Sequence, residues 1–167
     1  MNSLNLKTYI TQALEEQGLP MFWAESLTLF LLFILILVLG RVIFWGSRKI
    51  IIGVFNRVSK RTKSPFDDLL LQNRVPRLLS YIPFLFFLYA YIPGLFESQY
   101  ELLFSSSKNI LEALFVIVFI SLIRGVLKTL NDYLKTIPAL KDKPLDSYLQ
   151  VVMIFLWFIG GILILSI

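Results

Sequence analysis

Apolar residues gather into four long runs along the chain, separated by stretches where Lys, Arg and Asp concentrate. A helix needs about 20 predominantly apolar residues to cross roughly 30 Å of hydrocarbon, so each run is read as a membrane-spanning helix. The first covers residues 23–46, and its flanking Trp23 and Trp45, 22 positions apart, would lie about 33 Å apart along the axis, one in each interfacial belt. The second covers 78–96, with Pro83 inside it and Pro93-Gly94 at its end, which predicts a kinked helix closing in a turn. The third covers 109–130 and contains LFVIVFISLI, with Ser105, Ser106 and Ser107 before it as capping residues. The fourth covers 144–167.

Before the first span, residues 1–22 read as an outward-facing amphipathic segment. Leu6, Ile10, Ala13 and Leu14 share one face, Ser3 caps it, and Gly18 and Pro20 stop it. Lys7 is outweighed by Glu15, Glu16 and Glu25 and no small-residue cleavage site follows, so the first span is read as retained rather than as a signal peptide. The remaining segments are a basic helix and loop at 47–77, an outer loop at 97–108 and a further basic loop at 131–143. The expected fold is an all-α membrane protein of four transmembrane helices arranged as two helical hairpins, with a short N-terminal amphipathic helix.

Composition agrees with this. Of 167 residues, 57% are hydrophobic and 16% charged, so water is not the main solvent. Cysteine and histidine are absent, which removes disulfides, thiol nucleophiles and most transition-metal sites. Nine basic residues lie in or beside the basic segment joining the first two spans and five in or beside that joining the last two, counting Arg41, Arg124 and Lys128 at the adjoining span ends. They are 14 of the 16 in the chain, and all five Asp lie with them. Lys7, Lys108 and all six Glu fall on the other side, leaving +9 against −4. The positive-inside rule then puts both basic loops in the cytoplasm and both termini outside. The high pI thus reflects topology and attraction to anionic headgroups, and no nucleic-acid partner is expected.

The stretch RKIIIGVFNRVSKRTK interleaves charges with Ile51, Ile52, Val54, Phe55 and Val58. It reads either as a continuation of the first helix or as an interfacial helix lying on lipid, with Gly46 and Gly53 as places to bend. Arg48, Lys49, Arg57, Lys60, Arg61 and Lys63 are candidate headgroup contacts, beside the plainer reading of a solvated basic face that only fixes topology.

Two stretches repeat a theme: KSPFDDLLLQ from Lys63 and DKPLDSYLQ from Asp142, offset by 79 residues. Pro65 and Pro144 suit a first helical position, where a missing N–H is no loss, and Asp67, Asp68 and Asp146 fall in the first turn, where negative charge favours the helix dipole. Similar local chemistry at two helix starts accounts for the likeness without duplication.

Charges within hydrocarbon usually mark function. Arg41 and Arg124 can snorkel from helix ends, and Glu112 is the one possible intramembrane acid, although it follows Asn109 by about a turn and suits an interface. Ser121, Ser147 and Gln150 could bond between helices, and Gly160-Gly161 permits close backbone approach. No phosphate loop, activated nucleophile or paired carboxylates appear, so neither enzymatic chemistry nor a cofactor or metal is expected.

The stretches KSPFDDLLLQNRVPRLLSYIPFLFF and KDKPLDSYLQVVMIFLWFIGGILILSI resemble the bacterial miniconductance mechanosensitive channels of the MscS-type superfamily. The likeness rests on Asp67, Asp68, Leu69, Leu70, Arg77 and Leu78, then on Lys143, Pro144, Ser147, Tyr148, Leu149, Gln150 and Val151, and on the turn from Ile92 to Glu97. It implies a heptameric channel of the bacterial inner membrane that opens under tension, passes ions and protects against hypoosmotic shock. The family's pore helix and cytoplasmic β domain have no counterpart in this sequence, so the chain is expected to be the N-terminal sensor portion, with membrane lipids and its own copies as partners. A small four-span transporter working through Glu112 and a non-conducting membrane scaffold are the alternatives.

Overall fold

A computed structural model describes residues 3–62, 65–96, 100–140 and 143–167, and among these every regular element is helical. In chain order the helices are α1 (Ser3–Glu16), α2 (Met21–Arg61), α3 (Pro65–Gln72), α4 (Val75–Leu79), α5 (Tyr81–Tyr91), α6 (Glu101–Leu134) and α7 (Leu145–Leu165). Short 3₁₀ turns at Pro93–Leu95 and Pro138–Leu140 close two of the connections. Four stretches are long and apolar enough to cross a bilayer: Met21–Arg61, Val75–Leu95, Glu101–Leu134 and Leu145–Leu165. The all-α, four-span expectation therefore describes the chain.

The spans stand as a row rather than a closed ring. α2 packs on α5, α5 on α6, and α6 on α7, while α1 docks on α2 and the short α3 and α4 wedge between α2 and α6. The core lies at the end of the row away from the basic loops, where Leu32 and Ile36 of α2 meet Leu88, Ile92, Leu95 and Leu111. Leu6 and Ile10 of α1 pack against it, and the Thr11 hydroxyl donates to Thr28 Oγ1 at 3.2 Å. The backbone reverses after α1 at Gly18, whose φ of 89° is left-handed and suits a residue without Cβ.

α2 is 41 residues long, about 61 Å at 1.5 Å per residue and so about twice the hydrocarbon thickness. It runs unbroken through Gly46 and Gly53, and the basic stretch is its continuation rather than a separate interfacial helix. Its buried residues are Ala24, Thr28, Leu32, Ile36 and Gly40, a strict four-residue repeat that draws one narrow seam down the helix. Beyond Gly40 no residue of α2 is buried among those described. Gly40 ends the seam because a Cβ there would sit 2.9 Å from Phe84 Cε2, so its absence lets α2 and α5 approach.

The second span is interrupted at Ser80, between α4 and α5. Pro83 has no N–H for the Leu79 carbonyl, and the buried Ser80 hydroxyl instead bonds the Pro76 carbonyl at 2.8 Å.

Two helix starts differ from the sequence reading. α6 begins at Glu101, so Ser105, Ser106 and Ser107 lie within it and cap nothing; Ser107 satisfies its hydroxyl on the Phe104 carbonyl at 2.9 Å. Glu101 in the first turn supplies the favourable negative charge in their place. Pro144 is the residue before α7 rather than its first, with ψ 56°. Pro65 does open its helix, but α3 ends at Gln72 and a turn precedes the span, so the two similar stretches start elements of different kinds.

Candidate functional site

The polar chemistry of the fold concentrates at the basic end of the helices, where Asp and Asn side chains tie neighbouring elements together. Asp146, in the first turn of α7, accepts from Asn131 Nδ2 at 2.8 Å, on the last turn of α6, and from Lys135 Nζ at 2.6 and 2.7 Å, on the residue that caps α6. Its placement by helix-dipole chemistry thus also clasps α7 to α6. Asp68 accepts from the Ser59 hydroxyl and holds α3 to the far half of α2, whereas Asp67 is half-buried in the same turn. At the opposite end Asn109 Nδ2 donates to the Ile167 carbonyl at 3.0 Å, so the antiparallel pair α6 and α7 is pinned at both ends.

A second tie sits at the turn between α3 and α4. Asn73 Nδ2 reaches Thr129 Oγ1 at 3.2 Å and Asp132 Oδ2 at 3.0 Å on α6, and the next residue, Arg74, is left-handed with φ 61°. A non-glycine residue in that region carries strain, which the Asn73 anchor holds in place. Gly125 of α6 lies under this turn: a Cβ there would approach Val75 Cγ2 to 3.0 Å and the Asn73 carbonyl to 3.7 Å.

The expected headgroup residues Arg48, Lys49, Arg57, Lys60 and Arg61 project from the second half of α2 and are exposed except for half-buried Arg48. Lys49 lies over the Trp45 ring at 5.3 Å, and Trp45, Arg48 and Lys49 edge a shallow groove of about 330 Å³. Lys63 lies outside the described residues, as does Glu97 at the end of the Ile92 turn.

Glu112 is half-buried and engaged, accepting from the Tyr89 hydroxyl at 3.0 Å and standing 3.9 Å from Lys108 Nζ. It is a link between α5 and α6 rather than a free carboxylate facing a cavity. Ser121 bonds the Ile117 carbonyl of its own helix at 2.7 Å, and among the described residues Ser147 and Gln150 form no side-chain bond. Beside the Thr11–Thr28, Ser59–Asp68, Tyr89–Glu112 and Lys135–Asp146 contacts, interhelical polar links come from Asn73 in the α3–α4 turn and from Asn109 and Asn131 of α6, the last two a residue type disfavoured inside helices. That disfavour was the available signal.

The residues that carry the family likeness are not gathered into one cavity. Arg77 and Leu78 edge a cleft between α4 and α6, Leu149 and Gln150 edge a groove of about 520 Å³ between α6 and α7, and Ser147 and Tyr148 face outward. α7 packs chiefly on α6, and of its most apolar 18-residue stretch 6% is buried, against 33% for the second span.

These features define a multi-pass, all-α membrane protein whose last span is an outlying helix clasped at both ends. No protein-family model, curated protein or solved structure matches the chain.

Proposed function

We propose that the chain is a tension-sensing transmembrane region of a mechanosensitive ion channel that protects bacteria against hypoosmotic shock. It sits in the inner membrane with the basic helix ends in the cytoplasm and both ends of this sequence outside. It works as a homo-oligomer, heptameric as in the channels it resembles. The observation that carries the reading is the exposure of α7. This helix bears the SYLQVV stretch, yet outside one stripe along α6 its described residues are exposed, left for lipid or a further helix. Spans set out in a row present much of their surface to acyl chains, so a change in bilayer thickness alters the cost of hydrophobic mismatch over a large area. Such a change drives opening to the degree that the open and closed states differ in that contact.

Membrane patches from cells expressing the full-length protein are expected to show pressure-activated currents. Substituting Arg48, Lys49, Arg57, Lys60, Arg61 and Lys63 by Gln is expected to shift the tension midpoint; an unchanged midpoint removes the basic helix from sensing. Patches that stay silent with the protein present in the membrane overturn the channel reading.

Orientation is separately measurable because the chain has no cysteine. Asn56→Cys, on the second half of α2, is expected to resist an impermeant maleimide in intact spheroplasts and react after lysis. Gln17→Cys is expected to react in both.

A further inference from the structure

Among the described residues, the cleft between α4 and α6 is lined by four cations and no anion. Arg74 and Arg77 come from one wall and Arg124 and Lys128 from the other, around a volume of about 700 Å³. Arg124 and Lys128, four residues apart, share one face of α6, where like charges repel, and Arg74 and Arg77 face them from the turn and first residues of α4. Among the described residues none of the four side chains has a hydrogen-bond or ion-pair partner. Arg124 and Lys128 also edge the neighbouring groove, which holds two acids. Asp146 is paired with Lys135, and Asp132 is bonded by the neutral Asn73 amide, so among the described residues the cleft and its border carry four cations against one unpaired carboxylate.

The surroundings hold this repulsive arrangement in place. Arg74 is kept left-handed, Asn73 bolts its turn to α6, and Gly125 allows the two walls to approach. The four side chains are exposed and solvated, and their convergence from two walls on one cleft beside a strained turn fits a ligand of opposite charge. The cleft is of ligand size, and guanidinium forks pair with phosphate oxygens through two parallel bonds. Asn73 and Gln72 add polar groups at the rim, and Leu78 supplies an apolar wall.

We propose that this cleft binds a phosphate group, carried either by an anionic phospholipid or by a soluble phosphate compound. The proposal stands apart from channel activity: it can hold in a transporter or scaffold, and patch recordings do not test it.

The test uses the purified full chain in neutral detergent, titrated separately with phosphatidylglycerol, phosphatidylcholine and inorganic phosphate. Binding is read by native mass spectrometry for the lipids and by calorimetry for the ion. Phosphatidylglycerol is expected to bind about tenfold or more tighter than phosphatidylcholine, and Arg77→Gln with Arg124→Gln is expected to weaken it at least about tenfold. Lys7→Gln with Lys108→Gln, at the opposite end of the helices, should leave it unchanged. Saturable binding of inorganic phosphate that the Arg77 and Arg124 substitutions abolish, with no preference for the anionic lipid, supports the soluble source. A second readout does not depend on the charge variants folding: Gln72→Cys at the rim should be shielded from maleimide by whichever ligand binds. Anionic lipid binding that survives the double substitution, binding of neither probe, or unshielded Gln72→Cys overturns the proposal.

Discussion

Gly160→Leu is expected to detach α7 from α6. Gly160 is the one buried residue among those described in α7, and a Cβ at this position would overlap Ile120 Cδ1 and approach Val116 Cγ1 to 3.9 Å. Ile120 is itself 5% exposed and has little room to retreat. Overpacking of this kind costs about 1–3 kcal/mol, and a leucine falls towards the upper end. Among the described residues α7 has no second major neighbour to compensate, so the loss appears as separation of the pair. The measurement is disulfide formation between Asn109→Cys and Ile167→Cys, whose native residues touch. Its equilibrium yield should fall by roughly 10- to 100-fold. Gly161→Leu is the control, because a Cβ there meets nothing within 4 Å. Ile120→Ala should restore the cross-link to the Gly160→Leu protein. Equal damage from Gly160→Leu and Gly161→Leu would refute the packing account.

Asn73→Leu is expected to destabilise the chain by about 2–3 kcal/mol, because it removes two hydrogen bonds and leaves the Asp132 carboxylate without that donor. Arg74→Gly should act in the opposite direction: a glycine relieves the left-handed strain, about 1 kcal/mol, while removing one cation from the cleft. Unfolding in mixed micelles, followed by helical circular dichroism, measures both. If the two changes shift stability in the same direction, Asn73 is not what holds the strained turn.

The four spans could be read from the sequence because apolar length alone selects them. Which face of each is buried could not. In α2 nearly every position from Leu27 to Leu39 is apolar, so the seam through Thr28, Leu32 and Ile36 has no contrast against its neighbours. The continuity of α2 past Trp45 was equally undetermined, since charges interleaved with Ile and Val suit both a free helix and a lipid-bound one. The Asp residues at helix starts were visible through dipole chemistry, but the partners of Asp146 lie 15 and 11 residues back, across a turn that local patterns do not fold. The cationic cleft was hidden because Arg74, Arg77, Arg124 and Lys128 were already accounted for by topology. Their convergence needed the Asn73 bolt and the bare Cα of Gly125, both of which are tertiary facts.

The length of α2 has a mechanical corollary. A stiff rod whose far end is tied to α3 through Ser59 and Asp68 turns a small rocking of its first half into a sweep at that tip: over about 30 Å, a tilt of about 10° carries Arg61 sideways by about 5 Å and α3 with it. A modest local slant in the lipid thus becomes a displacement as wide as a helix turn, delivered to whatever lies beside that tip.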